Sequence, residues 1–128
     1  MKILIDTCVL IWWFDSDSRL TARVRQLLGS PDNQVHVSAV SAWEIATKSR
    51  ISRFANQLPV IAQLHEAMRL AGFLHLAVTW AHGARAGRLP GPHKDPFDRI
   101  IAAQSLIGEM PLVTSDSAFH DFGVPVIW

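Results

Sequence analysis

The sequence predicts an α/β fold in which a mainly parallel central sheet lies between two layers of helices. Short apolar runs rich in β-branched residues alternate with longer segments whose apolar residues recur every three or four positions. Such alternation is typical of βαβ units, whose crossover helices cover both faces of one sheet. The length of 128 residues fits one domain. We therefore expect residues 1–128 to form a single three-layer α/β/α sandwich.

The first half of the chain predicts strands and helices in alternation. Ser41 and Glu44 have the spacing of a capping box, so a helix is expected to begin near Glu44. Ser38 is an alternative N-cap for the same helix. The other elements expected here are strands at residues 3–5 and 35–37 and an amphipathic helix at residues 20–28, with Leu20, Val24, Leu27 and Leu28 on one face.

The second half is expected to contain one long loop and one strong helix. Residues 83–96 hold three glycines and three prolines among basic residues, a composition typical of a loop. A helix then begins at Pro96, directly after Asp95, and ends at Gly108. Its expected inward-facing residues are Phe97, Ile100, Ile101 and Ile107. The other expected elements are a helix at residues 59–71 and strands at residues 73–76, 112–114 and 126–127.

The composition argues against several classes of protein. The chain has 12 Lys and Arg against 11 Asp and Glu, and a net charge of +1 gives no global attraction for nucleic acid. Its single cysteine, Cys8, cannot form an intrachain disulfide, so we expect a reducing cytoplasm and interpret Cys8 as a small packed hydrophobe. The longest apolar stretch, residues 8–14, is far shorter than the roughly 20 residues that cross a bilayer, so no membrane partner is expected.

Four acidic residues lie just after predicted strands or in the first turns of predicted helices. Asp6 and Asp116 come directly after strands, whose carboxyl ends meet at one edge of a parallel sheet. Glu44 lies farther along, in the first turns of a helix, and Asp98 is the third residue of the helix that begins at Pro96. Oxygen ligands without a Cys or His cluster favour Mg²⁺ or Mn²⁺ over zinc. A cation held in this way activates water and neutralises charge on a phosphate, so the pattern indicates metal-assisted phosphodiester hydrolysis.

Each of these carboxylates also has a purely structural interpretation. Asp98 would form a capping box with Asp95, and Glu44 would pair with Lys48 one helical turn later. Asp116 would cap a turn over residues 117–119. Asp6 is harder to explain in this way, because it interrupts an apolar stretch and burial of an unpaired charge costs several kcal/mol. The joint placement of the four favours the functional interpretation.

Four motifs carry a family resemblance. They are Leu4-Ile5-Asp6-Thr7, Ser38-Ala39-Val40-Ser41-Ala42-Trp43-Glu44-Ile45, His93-Lys94-Asp95-Pro96-Phe97-Asp98-Arg99 and Leu112-Val113-Thr114-Ser115-Asp116. In this order, and spread over essentially the whole chain, they resemble the motifs of PIN-domain ribonucleases, in particular the VapC-type toxins of bacterial toxin–antitoxin pairs. The resemblance implies a PIN-like fold. It implies a metal site at Asp6, Glu44, Asp98 and Asp116, with support from Thr114 and Asp95.

The same resemblance implies an activity and partners. The chain would be an endoribonuclease that uses Mg²⁺ or Mn²⁺ to hydrolyse RNA, as a toxin that inhibits translation and growth. A cognate antitoxin is expected to lie against the helices of residues 8–28, and a homodimer is expected. The adjacent Trp12 and Trp13 point about 100° apart on a helix, so either one of them lies at an interface or both pack beneath the next helix.

Basic residues cluster around the predicted loop and the helix that follows it. We expect these side chains to contact the RNA backbone, although a charged loop is also commonly just solvated. His93 lies among them and is a further candidate for approaching substrate, although a loop histidine often has no such role. The expected phosphate contacts are Arg85, Arg88, Lys94 and Arg99.

Two other functions remain open at this point. A catalytically silent PIN-fold module that binds RNA or protein is disfavoured by the presence of all four acids. A phosphoacceptor receiver domain also gathers acids and Mg²⁺ at the strand ends of a parallel sheet, with a hydroxyl residue nearby. That class would need a lysine after a late strand, and the sequence has no lysine after Lys94.

Overall fold

Five parallel strands form one sheet at the centre of the computed structural model, which describes residues 1–51 and 58–128. The strands are β1 (Lys2–Ile5), β2 (Gln34–Ser38), β3 (Leu74–Leu76), β4 (Leu112–Val113) and β5 (Val126–Ile127), in the spatial order β3-β2-β1-β4-β5. Every neighbouring pair is parallel. The predicted parallel sheet is confirmed, and each of the five predicted strands is present to within a residue or two.

Helices cover both faces of the sheet. They are α1 (Thr7–Phe14), α2 (Ala22–Gly29), α3 (Ala39–Ile51), α4 (Leu58–Leu70), α5 (Trp80–Arg88), α6 (Pro96–Gly108) and a 3-10 helix at Ser117–Phe122. Along β1, Ile3 and Ile5 join a core with α1, α2 and α4, whereas Leu4 joins a second core with α5, α6 and the 3-10 helix. The fold is therefore the expected three-layer α/β/α sandwich. No helix within the described residues is long and apolar enough to span a bilayer.

The strand register aligns the carboxyl ends of the three central strands. Ile5 of β1 pairs with Val37 of β2 and with Val113 of β4. The residues that follow these strands consequently emerge together at one edge of the sheet, as parallel pairing requires. Asp6 and Thr114 are two of them, so the register itself brings residues 108 positions apart into contact.

Helix α3 begins five residues earlier than the expected start near Glu44. Ala39 is its first residue, and the Ser38 hydroxyl oxygen accepts a hydrogen bond from the Val40 N–H at 3.1 Å. The alternative cap, Ser38, is therefore the correct one. Ser41 does not cap the helix; its hydroxyl forms a hydrogen bond with that of Thr7, 2.8 Å away, and so links α3 to the start of α1.

Helix α5 contradicts the prediction of a loop across residues 83–96. Residues 80–88 are helical, and the non-helical connection is limited to residues 89–95. The helix starts at a capping box: Thr79 Oγ1 accepts from the His82 N–H, and His82 Nδ1 accepts from the Thr79 N–H. Burial of Ala86 against α6 stabilises the helix in spite of its two glycines. Glycine weakens a helix by only about 1 kcal/mol per residue, a cost that such packing offsets.

Helix α6 begins and ends where the sequence predicts. Asp95 caps it, because its Oδ1 accepts from the N–H groups of Phe97 at 2.9 Å and Asp98 at 3.2 Å. Phe97 and Ile101 are buried as expected. Ile107 is exposed, so its predicted inward position is wrong. At about 100° per residue, Ile107 lies roughly 120° around the helix from Ile101 and faces away from the core.

The two adjacent tryptophans both pack against the core under α1. Trp13 lies against Phe73, with ring centroids 6.1 Å apart. Trp12 meets the C-terminal Trp128 edge to face at 6.0 Å. Both side chains are only partly buried, so each keeps an accessible portion.

Candidate active site

The four acids predicted from the sequence line one cavity of about 260 Å³ at the carboxyl edge of the sheet. They reach it from four separate segments, at the ends of β1 and β4 and on α3 and α6. Asp95 lines the same cavity. The structure thus brings together Asp6, Glu44, Asp98 and Asp116, which lie up to 110 positions apart in the sequence.

Asp6 is a buried carboxylate that accepts a hydrogen bond from a neighbouring hydroxyl. It is 6% exposed, and its Oδ2 accepts a hydrogen bond from Thr114 Oγ1 at 2.8 Å. Thr114 Oγ1 in turn accepts from the Asp116 N–H at 3.0 Å. Burial raises the pKa of Asp6 to about 6, against the Thr114 hydrogen bond, and the charges of Asp98 and Glu44 add to that increase.

Glu44 is buried in the second turn of α3, with only 4% of its surface exposed. Its Oε2 forms an ion pair with Lys48, one turn later, as the structural interpretation expects. Its Oε1 is buried and has no hydrogen-bond partner among the described residues. A buried carboxylate oxygen without a partner carries the full cost of its lost hydration. Lys48 therefore pairs with one of the two carboxylate oxygens of Glu44 and leaves the other without a partner among the described residues.

Three carboxylates approach one another near the N-terminus of α6. One oxygen from each of Glu44, Asp95 and Asp98 lies within 4.8 Å of the other two. Burial is the main cause that raises the pKa of Asp98, and the negative charges of Asp95 and Glu44 add to it. Asp95 accepts from the helix N–H groups with one oxygen and also belongs to this group of three carboxylates. Sequence reasoning placed it second to Asp98.

His93 is a site residue that sequence reasoning underrated. Its Nε2 lies 2.7 Å from Asp98 Oδ2, and this hydrogen bond raises the pKa of His93. Its ring also packs near Phe122, with centroids 5.7 Å apart. The available signal was the position of His93, two residues before Asp95 in the same motif. His93 reaches Asp98 because the connection folds back over the start of α6.

Asp116 caps the 3-10 helix and also lies on the cavity wall. Its Oδ1 accepts from the Ala118 N–H at 2.9 Å and caps the 3-10 helix, as the structural alternative expects. It also lines the acidic cavity. Asp116 and Asp6 lie outside the group of three carboxylates whose oxygens are within 4.8 Å.

Of the four basic residues expected to contact phosphate, Arg99 has a different set of partners in this structure. Its guanidinium donates to the carbonyl oxygens of Ala86 and His93, both at 2.9 Å, and to that of Leu89. These bonds attach the end of α5 and the connection at residues 89–95 to α6. The other three side chains are exposed and do not line the cavity: Arg85, Arg88 and Lys94.

Cys8 is exposed on the cavity wall, so its interpretation as a packed hydrophobe is wrong. It lies on the outer side of α1, one residue before the buried Val9. Partial desolvation of the thiol raises the pKa of Cys8 to about 11, and the charge of Asp6 adds to that increase. The group is therefore a neutral thiol near pH 7 and a poor nucleophile.

The donor set of this cavity fits a hard divalent cation. Glu44 has a buried oxygen without a hydrogen-bond partner among the described residues and shares a group of three carboxylates with Asp95 and Asp98, so a cation bound by this group could supply the missing partner. It would also offset the burial, and the smaller mutual repulsion, that raise the pKa values of Asp6 and Asp98. Soft metals are disfavoured, because the nearby thiol is protonated and His93 is already bonded to Asp98.

Residues 3–125 match the sequence model of the PIN domain family. No curated protein sequence matches the chain at a significant level.

Solved structures with the same fold cover nearly the whole chain. The structure of VapBC2 from Rickettsia felis, bound to a DNA fragment from its promoter, aligns with a TM-score of 0.72 at 15% identity, over 99% of this chain and 98% of that one. VapBC-1 from nontypeable Haemophilus influenzae aligns with a TM-score of 0.68 at 19% identity, over 99% and 97% of the two chains. A toxin–antitoxin complex from Klebsiella pneumoniae aligns at 0.59 and 20% identity, over 98% and 96%. At such identities the likeness establishes a common fold.

Proposed function

The chain belongs to the PIN-domain family, and from that premise we propose that it is an endoribonuclease that uses Mg²⁺ or Mn²⁺ to hydrolyse RNA phosphodiester bonds. One observation carries the proposal. Glu44, Asp95 and Asp98 bring carboxylate oxygens within 4.8 Å of one another, and a buried oxygen of Glu44 has no hydrogen-bond partner among the described residues. An acidic group of this kind is costly to keep without a cation.

The proposed ligands differ slightly from the set that the resemblance implies. Glu44, Asp95 and Asp98 would hold the cation directly, and Asp6 and Asp116 would complete the acidic wall. When bound, the cation lowers the pKa of water and neutralises charge on the scissile phosphate and its leaving oxygen. Asp95 thus moves from a supporting role into the ligand set.

The remaining groups position these ligands. Thr114 donates to Asp6 and accepts from the Asp116 N–H, so one hydroxyl sets the spacing of two acids. The bond from His93 holds one oxygen of Asp98, and Asp98 lines the cavity. Arg99 holds the His93 carbonyl and keeps that connection against α6. Arg85, Arg88 and Lys94 are proposed to contact the RNA backbone farther from the cleaved bond.

We also propose that the protein is the toxin of a toxin–antitoxin pair and acts in the cytoplasm by cleaving RNA needed for translation and growth. The similar solved structures are toxin–antitoxin complexes. A groove suited to an antitoxin segment lies between α1, α3 and α4, where two apolar cavities of about 410 and 290 Å³ share Ile45 and Leu64. An amphipathic segment would fill it. This groove includes α1 but not α2, so it covers only part of the region of residues 8–28 that was expected to receive the antitoxin.

A homodimer remains part of the proposal. Light scattering at micromolar concentration should give twice the monomer mass of 14.2 kDa. Coexpression with the protein encoded next to it should yield a copurifying complex that no longer cuts RNA. A monomer that copurifies with nothing would remove the toxin–antitoxin part of the proposal and leave the nuclease part to its own test.

The nuclease proposal is tested by cleavage of single-stranded and structured RNA with purified protein. We expect cleavage with Mg²⁺ or Mn²⁺, poor cleavage with Ca²⁺, whose coordination is looser, and none in EDTA. Asp98→Asn should abolish cleavage, whereas Asp32→Asn, at an exposed carboxylate just before β2 at the opposite edge of the sheet, should not change it. Full activity in excess chelator would refute the metal mechanism. Tight RNA binding without cleavage in any cation would favour the silent binding module.

A further inference from the structure

One aromatic side chain, that of Trp12, lines the acidic cavity although it cannot be a metal ligand. Trp12, on α1, is the one tryptophan among the described residues that line this cavity. It is partly buried, so part of its ring is open to whatever occupies the cavity. A cation and its carboxylate ligands have no use for an indole. The accessible part of the ring is available to a different kind of ligand group.

The Trp12 ring is held in place from two sides. The edge-to-face contact with Trp128 has an interplanar angle of 64°. Arg19 lies over the ring, with its Cζ atom 4.5 Å from the centroid, within the range of a cation–π contact. A ring fixed in this way is preorganised to receive a planar ligand, because little side-chain entropy remains to be lost on binding.

Arg19 is itself held by a neighbour. Its Nε and Nη2 donate to the two carboxylate oxygens of Asp17 at 3.0 and 2.7 Å, and the Asp17 N–H donates to the Trp12 carbonyl oxygen at 2.9 Å. The Arg19 side chain is nevertheless 65% exposed. Asp17 balances its charge, so the guanidinium offers a flat stacking surface more than a free positive charge.

These features match the chemistry of a nucleobase. Aromatic rings and guanidinium planes stack on bases of every type, and such stacking supplies affinity where net charge does not. This chain has a net charge of only +1 and an acidic cavity that repels phosphate until a cation is bound. Affinity for RNA at the cavity therefore has to come largely from contacts that do not depend on charge.

We propose that the pair formed by Trp12 and Arg19 is a subsite for one base of single-stranded RNA, next to the phosphodiester held over the acids. The proposal rests on the proposed ribonuclease function. It predicts that the enzyme requires an unpaired nucleotide beside the cleaved bond, because a base within a duplex cannot reach the ring.

The test compares RNA binding by three variants. Trp12→Leu removes the ring, Trp12→Phe keeps a smaller one, and Trp80→Leu is the matched control, because Trp80 is 93% exposed on α5 and does not line the cavity. Binding of a labelled single-stranded RNA is followed by anisotropy in Ca²⁺, where cleavage is slow. Trp12→Leu should bind about 5- to 100-fold more weakly, Trp12→Phe within a few-fold of wild type, and Trp80→Leu like wild type.

A second arm separates stacking from charge. The same RNA with an abasic site at the position beside the cleaved bond should bind wild type and Trp12→Leu equally. Arg19→Gln, at an exposed position where folding is not at risk, should weaken binding about 2- to 5-fold. In Mg²⁺, Trp12→Leu should raise KM with kcat little changed, because the stack binds substrate and transition state alike.

Several results would overturn the inference. The inference fails if folded Trp12→Leu binds RNA as tightly as wild type. It also fails if Trp12→Leu loses the same affinity, relative to wild type, for intact and for abasic RNA. If Trp12→Leu does not fold, two other results together overturn the inference. Arg19→Gln would bind RNA as tightly as wild type, and wild type would bind abasic RNA as tightly as intact RNA. Loss of antitoxin copurification with unchanged RNA binding would reassign the pair to a protein partner. If wild type cleaves RNA and Asp98→Asn does not, the proposed function survives any of these failures.

Discussion

Replacement of Asp6 by Asn should stabilise the metal-free protein while it removes activity. Burial raises the pKa of Asp6 from an ordinary 3.8 to about 6. A difference of that size corresponds to about 3 kcal/mol against the ionised form at neutral pH. The Asn side chain keeps an oxygen that can accept from the Thr114 hydroxyl but carries no charge. Asp6→Asn should therefore gain up to about 3 kcal/mol in EDTA at pH 7.5, less whatever strain the amide adds.

The pH dependence of this gain has a definite sign. The folded-state pKa of Asp6 lies above its unfolded value, so between about pH 4 and pH 6 the folded protein binds more protons than the unfolded chain. Stability from this group then falls as pH rises through that window. The advantage of Asp6→Asn over wild type should accordingly be absent near pH 4 and fully developed above pH 6.

Urea unfolding in EDTA at a series of pH values measures the difference directly. Addition of Mg²⁺ should reverse the order, because the cation stabilises the folded state by mass action and the wild-type site binds it more tightly. Asp32→Asn is the control, and its stability should follow that of wild type. An Asp6→Asn protein that is equally or less stable than wild type at pH 7.5 in EDTA, with unchanged Mg²⁺ response, would show that burial beside the other acids does not destabilise the charged form of Asp6.

Two further predictions concern α6. Asp95→Ala should lose about 0.5–2 kcal/mol of stability, because the N–H groups of the first turn lose their cap, and it should also bind Mg²⁺ more weakly. Asp98→Asn should lose cleavage without loss of stability in EDTA. Calorimetric Mg²⁺ titration and thermal melting of both variants test this, and normal Mg²⁺ affinity in Asp95→Ala would show that Asp95 is a cap alone. Arg99→Leu should cost more than about 2 kcal/mol, because it leaves three carbonyl oxygens without their charged donor; amide exchange should rise first in residues 89–95, and an unchanged exchange pattern there would contradict the role assigned to Arg99.

Several parts of the fold were predictable because their causes are local in the sequence. The strand at residues 3–5 and the helix at Pro96–Gly108 follow from apolar patterning, a proline at the first helical position and an aspartate cap. The placement of Asp6 at the carboxyl edge follows from parallel pairing alone. Glu44 was selected less directly, from its place in the first turns of a predicted helix, and it lies five residues inside α3.

The errors arose where contacts between distant segments outweighed local preference. Residues 83–88 have the composition of a loop, but the burial of Ala86 against α6 makes them helical. Cys8 lies in an apolar run, yet the direction of α1 turns it toward the cavity and solvent. In both cases the deciding surface comes from residues far away in the chain.

The sequence by itself determined the α/β class, the parallel sheet and the acids that its strand ends and helix starts carry, because hydrophobic periodicity and capping act over a few residues. Only the tertiary structure decided which groups share the cavity. The bond from His93 to Asp98, the inclusion of Asp95 with Glu44, and the place of Trp12 on the wall with Arg19 over its ring all depend on the docking of α1, α3 and α6 around one sheet edge. Side-chain distances between such segments are set by core packing, and no local pattern encodes them.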